Sequence, residues 1–320
     1  MQFLHNAFRR GAWQIASARF SRAGLYCIEV DCPTNGFFSQ LGGLMPILLR
    51  CERRNLKPHI ILSSKLYLER GRGPSFLQYF FDGPIFTETQ RSLIRRSSMP
   101  RFESFAEIYG WSREDYPRLA DSGTLFRRYY SLRQQIKAEA DAFAAVNFKA
   151  GATLGVHYRG TDKVSEASFV PFEHTLQSIR QYITSHPEIK VVFVSADIAD
   201  YIDFIRHSLP DVRIIYRNSE ARSTNALPIH LSRIGSPYQN ALDALLNCLL
   251  LSKCDVLFKT MSNLSGWAKV FNPSLKVYLM NRPDNEGIKW LGFPEREMVE
   301  KQWFTPQLPL DCGIASSTKI

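Results

Sequence analysis

The sequence predicts an α/β fold built from two Rossmann-like lobes, and three observations carry that prediction. In the second half of the chain, short β-branched apolar runs alternate with helical segments, which is typical of a parallel sheet covered on both faces. The first half opens with a strand, a glycine-containing loop, a helix and a strand, as a Rossmann-like unit does. The 320 residues suffice for about two domains with a sizeable core. We place the boundary between residues 1–148 and residues 149–320.

The elements of the first lobe follow from its periodicity. Predicted strands at 25–30 and 57–62 flank a turn-rich loop at 31–44, which leads into a helical run at 41–56. Gly42 lies in this loop, and a glycine there lets the backbone approach a ligand closely. The loop lacks the G-x-G-x-x-G pattern, so a dinucleotide site is not supported.

The rest of the first lobe is less regular. Residues 63–123 contain apolar aromatic clusters, which indicate packed structure, and a basic loop at 91–101. Apolar residues at helical spacing then predict one long helix over 125–146.

The second lobe alternates strands with helices. Its predicted strands are 153–158, 189–195, 212–216, 256–259 and 276–280, and its predicted helices are 172–185, 197–208, 237–252 and 262–271. The carboxyl ends of such parallel strands are where open α/β sheets bind their ligands.

The overall charge indicates which classes of binding partner the protein favours. The formal net charge of +10 suits an anionic partner, which could be nucleic acid, a membrane surface or a phosphorylated substrate. The arginines are spread along the chain without a dense basic block, which speaks against nucleic acid. Residues 1–22 lack the continuous apolar core of a secretory signal. We interpret them as an ordinary first helix or a frayed terminus, with a basic amphipathic contact to an anionic membrane as the alternative.

Cysteine and acidic residues indicate neither a zinc site nor another metal site. The six cysteines form no C-x-x-C pair, and we interpret them as free thiols in the reducing cytoplasm. The sequence shows no D-x-D motif and no cluster with metal-ligand spacing.

The stretch at 157–166 contains most of the candidate catalytic and phosphate-binding side chains. His157 and Arg159 are two residues apart at the end of a predicted strand, so both side chains can lie on the same face of the sheet. A guanidinium grips phosphate in a planar, bidentate way, and Lys163 adds a second positive charge. Asp162 and Glu166 are candidate acid or base groups. From the residues alone, a solvated charged turn is an equally good interpretation.

This stretch, HYRGTDKVSEASF, resembles the first peptide motif of the fucosyltransferases, the H-x-R-x-T-D-K segment, and is most similar to that of the α1,6-fucosyltransferases of core and nodulation type. The matching positions are His157, Arg159, Thr161, Asp162, Lys163, Val164, Glu166, Ala167 and Phe169. Two departures stand out. Many relatives carry a second arginine where this chain has Gly160, and the gap between Lys163 and Glu166 is one residue shorter than in the core enzymes.

The resemblance implies a GT-B architecture, two Rossmann-like lobes facing a cleft, and a metal-independent transfer of fucose from GDP-fucose to a glycan hydroxyl with inversion. Glu166 is then the first choice for the base and Asp162 the second. Arg159 would hold the β-phosphate, Lys163 would steady the leaving group, and His157 would order the nucleotide. GDP-fucose is a donor substrate, and no cofactor is implied.

A second segment, 260–267, follows a strand and opens a helix, where free backbone N–H groups make an anion site. The residues leave simple N-capping by Ser262 and anion binding equally open. The segment also resembles the late fucosyltransferase motif, which makes Ser262 and Asn263 candidates for contact with the nucleotide diphosphate.

Two further polar positions lie nearby in the predicted topology. Asp243 and Asn247 are four residues apart, on one face of an otherwise apolar helix. The resemblance implies a contact with the nucleotide base from one of them, and an aspartate favoured by the helix dipole is the alternative for Asp243. Asp197 ends a strand, and we interpret it as the N-cap of the helix that follows, with a position near the nucleotide as the alternative that the resemblance implies.

Three alternatives to the fucosyltransferase hypothesis stay open: a transferase of this fold with another nucleotide sugar, a non-enzymatic nucleotide-binding protein, and a nucleic-acid-binding protein. Gly160 favours the first, while the intact titratable groups of the motif speak against the second. The expected partners are a nucleotide sugar and a glycan or glycoconjugate acceptor, without nucleic acid. The expected location is the cytoplasm, and peripheral contact to the inner membrane through the basic N-terminus is the alternative.

Overall fold

The computed structural model describes residues 24–31, 34–84, 116–161, 167–218, 222–223, 235–281 and 293–300. The N-terminal segment 1–22 and the basic loop 91–101 lie outside these ranges, so their predictions stay predictions. None of the helices in the described ranges is long and apolar enough to span a bilayer.

The first lobe contains the predicted β-α-β unit. Strands β1 (Leu25–Val30) and β2 (Lys57–Leu62) pair in parallel, and helix α1 (Phe37–Arg53) connects them. Most of α1 is buried because its sequence is apolar on nearly every face. The helix begins at Phe37, earlier than the sequence suggested, so the placement of Gly42 in a loop was wrong.

A short aromatic-rich region follows β2. It contains the single-turn helix α2 (Leu77–Phe80) and the two-residue strand β3 (Phe81–Asp82). The ring of Phe37 contacts those of Tyr67 and Phe80 at centroid distances of 5.6 and 5.4 Å, edge to face. Edge-to-face contacts of this kind stabilise aromatic cores beyond simple burial, so the described part of this region is packed, as predicted.

The single helix predicted over 125–146 is in fact two helices. Helix α3 (Leu119–Tyr129) ends before strand β4 (Ser131–Leu132), and helix α4 (Gln134–Asn147) follows. Strand β4 pairs antiparallel with β3, and the next residue, Arg133, donates its backbone N–H to Phe80 O at 3.0 Å. The tertiary pairing with β3 therefore overrides the helical periodicity at this point.

The second lobe is a five-stranded, wholly parallel sheet in the order β7-β6-β5-β8-β9. Its strands are β5 (Ala152–Tyr158), β6 (Ile189–Ala196), β7 (Arg213–Ile215), β8 (Val256–Lys259) and β9 (Lys276–Leu279). Its helices are α5 (Phe172–Ser185), α6 (Ala199–Ser208), α7 (Pro237–Ser252) and α8 (Asn263–Phe271). The predicted alternation is thus confirmed.

The sheet is buried on both faces. Leu154 and Val156 of β5 point to a cluster shared with α5 and α6, while Phe193 of β6 faces the other side, toward α7. A Cβ at Gly155 would lie 3.0 to 3.3 Å from Cys254 and Leu251, so the glycine lets the α7 end of this layer approach β5 closely.

The two lobes share one continuous apolar core. Residues of α1, α3, α7 and α8 belong to the same buried cluster. Trp267 of α8 is fully buried, and its ring lies 5.9 Å from that of Phe38 in α1 and 5.3 Å from that of Phe126 in α3. A last short helix, α9 (Glu295–Glu300), packs against α8.

The Trp267→Ala substitution tests this junction. Because the ring is buried among three helices, its removal should lower the free energy of unfolding by about 3–5 kcal/mol, as measured by chemical denaturation. Val146→Ala, at a position that is 66% exposed on α4, is the control and should change it by no more than about 0.5 kcal/mol. Equal effects of both substitutions would contradict the packing described here.

Candidate functional site

The candidate site lies at the carboxyl edge of the second sheet. Strand β5 is central there, with β6 on one side and β8 on the other, and His157 is in register with Ser195 and Lys259. Because all five strands are parallel, their ends meet at this edge, which is where open α/β sheets bind ligands.

Arg159, directly after β5, is held from both neighbouring strands. Its backbone N–H donates to Thr260 Oγ1 at 2.8 Å, and its Nε lies 3.9 Å from Asp197 Oδ2. The side chain is 19% exposed, so the guanidinium is anchored at the edge of the sheet while part of it still faces solvent.

The first lobe also reaches this guanidinium. Burial raises the pKa of the Tyr67 phenol, and the positive charge of Arg159 opposes that rise. Tyr67 belongs to the loop after β2, so Arg159 lies close to the junction of the two lobes. The role predicted for this arginine in binding phosphate stays a prediction.

Asp197 fixes the turn that follows Arg159. Its carboxylate accepts hydrogen bonds from the Gly160 N–H at 2.9 Å and from the Thr161 hydroxyl at 2.7 Å. The N-cap of α6 is Ile198, without a side-chain cap bond. The interpretation of Asp197 as the helix cap was therefore wrong, because its carboxylate is occupied by the neighbouring strand's loop.

Gly160 is required by its surroundings. A Cβ at this position would lie 2.8 Å from both Ile198 Cδ1 and Tyr158 Cε1. Tyr158 cannot move aside easily, since its ring stacks on Tyr201 at 4.1 Å and its hydroxyl donates to Val170 O at 2.7 Å. A side chain at position 160 would therefore require Tyr158 or Ile198 to shift.

The acid and base candidates Asp162, Lys163 and Glu166 lie outside the described residues, so their roles stay predictions. The residues on both sides of this segment form hydrogen bonds with residues of the site. Thr161 bonds Asp197, and the Ser168 carbonyl accepts from Asn281 Nδ2 at 2.9 Å.

Asn281 was missed in the sequence because a single asparagine after a strand carries no distinctive signal. Its Oδ1 accepts from the Met261 N–H at 2.9 Å, and its Nδ2 bonds the Ser168 carbonyl. One amide thereby joins the residues after the charged loop to the turn between β8 and α8.

The start of α8 presents polar groups that the protein leaves unused among the described residues. Ser262 is the N-cap residue of α8, but its side chain does not cap the helix. Its Oγ is buried without a hydrogen-bond partner in the described ranges, and so is Asn263 Oδ1. Such groups need partners, and beside the N–H groups of a helix start they suit a bound anion.

His157 is buried beneath Arg159 and is kept neutral. Burial lowers the pKa of its imidazole well below the usual 6.5, and the positive charges of Lys259 and Arg159 lower that pKa further. Its Nδ1 has no hydrogen-bond partner among the described residues. A neutral imidazole at this place can offer one donor and one acceptor.

The charge of Lys259 is balanced by Glu295, which lies in the last described segment of the chain. Its Nζ lies 2.8 and 2.9 Å from the two carboxylate oxygens of Glu295, and both side chains are buried. Buried charges of this kind require a close partner, since their desolvation is costly. Sequence patterns did not predict this pair, because the two residues are far apart in the chain.

The two helical candidates in α7 are buried. Asp243 pairs with Arg217, with 2.8 Å between Oδ1 and the guanidinium Nη2, and it accepts from Gln239 Nε2 at 3.1 Å. Asn247 lies one turn further along the same helix and is 1% exposed. The contact with a nucleotide base predicted for one of them stays a prediction.

Gly42 is set against the last described segment. A Cβ there would lie 2.5 Å from the Phe293 carbonyl oxygen, so its lack of a side chain allows α1 and this segment to pack closely. Its predicted nucleotide contact stays a prediction. As for metal ions, the described ranges contain no grouping of three or more His, Cys, Asp or Glu side chains suited to one.

The lowered pKa of His157 predicts how stability depends on pH. In the unfolded chain the imidazole takes up a proton below about pH 6.5, whereas in the folded protein it stays neutral until a lower pH. Stability should therefore fall as pH drops below about 6.5, with this residue contributing up to about 1.4 kcal/mol per pH unit. Denaturation of wild type and His157→Gln between pH 5 and 8 measures this, and identical slopes would refute it.

The chain is similar to several solved structures of fucosyltransferases. It shares 18% identity with the crystal structure of fucosyltransferase NodZ from Bradyrhizobium, covering 78% of this chain and 94% of that one, with a TM-score of 0.50. NodZ α-1,6-fucosyltransferase co-crystallised with GDP is 17% identical, over 78% and 93% of the chains, with a TM-score of 0.49. A point mutant of Arabidopsis thaliana FUT1 in complex with GDP is 12% identical, over 82% and 72% of the chains, with a TM-score of 0.48.

The first of these similarities shows the fold, which is the GT-B fold that the sequence predicted. No curated protein matches the chain. The family model of nodulation protein Z (NodZ) matches residues 121–288, which span more than half of the 320 residues and include β5, β8 and the start of α8. The chain therefore belongs to the NodZ family.

Proposed function

We propose that this protein is an inverting, metal-independent glycosyltransferase that moves fucose from GDP-fucose to a glycan hydroxyl. The observation that carries the proposal is the arrangement of Arg159 beside the start of α8. The Arg159 N–H bonds Thr260, and two residues later Ser262 has a buried hydroxyl without a partner in the described ranges. Family membership and relatives crystallised with GDP and soaked with GDP-fucose support the choice of donor.

The arrangement suits a diphosphate. A guanidinium on one side and the N–H groups of a helix start on the other can neutralise the charge that develops on the leaving group. His157, two residues before Arg159, is a neutral imidazole, which could hydrogen-bond a phosphate oxygen without adding charge. These groups supply electrostatic stabilisation that a metal ion provides in other transferases, which is why we propose metal independence.

The reaction requires one proton transfer. The oxygen of the acceptor hydroxyl attacks the anomeric carbon of fucose as the bond from that carbon to the β-phosphate oxygen breaks. The electron pair of the broken bond stays with GDP, and the hydroxyl proton passes to a carboxylate. Attack on the face opposite GDP inverts the anomeric carbon. We assign the base to Glu166 first and Asp162 second, as the motif implies, with Lys163 near the departing phosphate.

Removal of the Arg159 guanidinium should weaken GDP binding. A charge-assisted hydrogen bond contributes about 1.5–3 kcal/mol, so Arg159→Ala should raise the Kd of GDP by roughly ten- to a hundredfold. Calorimetric titration with EDTA present measures this and tests metal independence as well. Arg206→Ala is the matched control, since that arginine is exposed on α6 and paired with Asp203. Equal affinities for all three proteins would rule out the phosphate site.

The identity of the base can be read from two isosteric substitutions. Glu166→Gln should lower the rate of GDP release from GDP-fucose by roughly 10²- to 10⁴-fold, because general base catalysis is lost, while the Kd of GDP-fucose stays the same. Asp162→Asn should have the smaller effect. The reverse order of the two effects would assign the base to Asp162.

One observation favours a second candidate donor. Gly160 replaces an arginine that many relatives carry, and its replacement is blocked by Tyr158 and Ile198. A transferase of this fold that uses another nucleotide sugar is consistent with one fewer cation. Titration with GDP-mannose and UDP-sugars beside GDP-fucose distinguishes the two, and a preference for any of the others would replace fucose in the proposal.

A further inference from the structure

A cavity of about 340 Å³ lies apart from the residues of the site described above. It is formed where α2, the start of α4 and the start of α7 meet. Its polar lining consists of Arg72, Gln78, Tyr79, Arg133, Gln135 and Tyr238. The volume is at the lower end of ligand pockets, which typically measure about 300–1,000 Å³, so it suits one or two small rings rather than a long polymer.

The topology places this cavity on the same side of the molecule as Arg159. Helices α4 and α7 immediately precede β5 and β8, and both of those strands end at the carboxyl edge. In a parallel sheet such helices run antiparallel to the strands, so their N-termini lie at that edge. Two positive helix ends therefore face the region of the cavity.

Arg72 is held in position before any ligand binds. Its guanidinium lies 3.7 Å from the centroid of the Tyr238 ring, which stacks on Phe80 at 5.3 Å with an interplanar angle of 14°. Glu69 connects the same groups, since it accepts the Tyr238 N–H at 3.2 Å and lies 3.9 Å from Arg72 Nε. A cation fixed by an aromatic face loses little freedom when it binds an anion.

Arg133 is anchored to the same aromatic layer from the other side. Its backbone N–H bonds the Phe80 carbonyl, and its Nε lies 3.5 Å from Asp82 Oδ1. Its side chain is 48% exposed and that of Arg72 is 46% exposed. Both carboxylates lie beyond the ordinary hydrogen-bond distance of about 3.2 Å from these Nε atoms, so neither arginine is tightly neutralised by them.

We propose that this cavity binds a sugar that bears an oxyanion, either a carboxylate or a phosphate, as part of the acceptor. The two guanidinium groups would hold the oxyanion, since their planar forks match such groups in geometry. The carboxamides of Gln78 and Gln135 would hydrogen-bond sugar hydroxyls. The proposal rests on the proposed function in that it identifies the ligand as the acceptor, and it predicts an acidic glycan.

The test measures sugar binding directly, without transfer. Calorimetry compares digalacturonate and galactose 6-phosphate with neutral galactobiose on the full chain. We expect the acidic probes to bind at least about tenfold more tightly than the neutral one, which corresponds to one charge-assisted hydrogen bond. A preference for digalacturonate identifies the carboxylate, and a preference for galactose 6-phosphate identifies the phosphate.

Substitutions then test which arginines cause the preference for acidic sugars. Arg72→Gln and Arg133→Gln should each lose most of it, and Arg133→Lys should recover part of it, while all three keep the wild-type Kd for GDP. Arg206→Gln removes an equally exposed arginine, also paired with an aspartate and lying 5.6 Å from the Tyr216 ring, and should keep the preference. Loss of the preference in Arg206→Gln as well would overturn the proposal, since general charge would then explain it.

The remaining outcomes separate the two proposals. Intact GDP binding with equal affinity for acidic and neutral sugars overturns the acidic subsite and leaves the proposed function standing. An acid preference that depends on Arg72 and Arg133, in a protein that binds no GDP, supports the subsite and overturns the proposed function.

Discussion

The candidate site depends on the central position of strand β5. Because β6 and β8 flank it in parallel, the two bonds that hold the motif come from opposite sides, from Thr260 after β8 and from Asp197 after β6. The same register sets His157 beside Lys259. A shift of β5 by one residue would turn His157 toward the opposite face and move Arg159 away from both partners.

The buried charges under the site are balanced one by one. His157 is neutral, Lys259 is paired with Glu295, and the Arg159 Nε lies 3.9 Å from Asp197 Oδ2. Glu295 belongs to a segment that also meets the first lobe, because the Phe293 carbonyl lies against Gly42 and the Leu119 N–H donates to the Glu297 carboxylate. The electrostatics of the second lobe therefore depend on a segment that contacts both lobes.

The features predicted correctly from the sequence are those that depend on residues close together in the chain. The strands and helices of the second lobe follow from alternation and length, and the position of Arg159 follows from the end of a strand. What it missed depends on partners distant in the chain. The helix at 125–146 is divided because β4 pairs with β3, some fifty residues earlier. Asp197 caps no helix because the turn at Gly160, on the adjacent strand, occupies its carboxylate.

Gly160 has a consequence for which substitutions this part of the chain can accept. Its neighbour Tyr158 is fixed by Tyr201 and Val170, so a side chain at position 160 is accommodated only after Ile198 or Tyr158 has changed. An arginine introduced there alone would disrupt the turn that positions Arg159. A larger side chain at position 160 therefore depends on a second, compensating change at position 158 or 198.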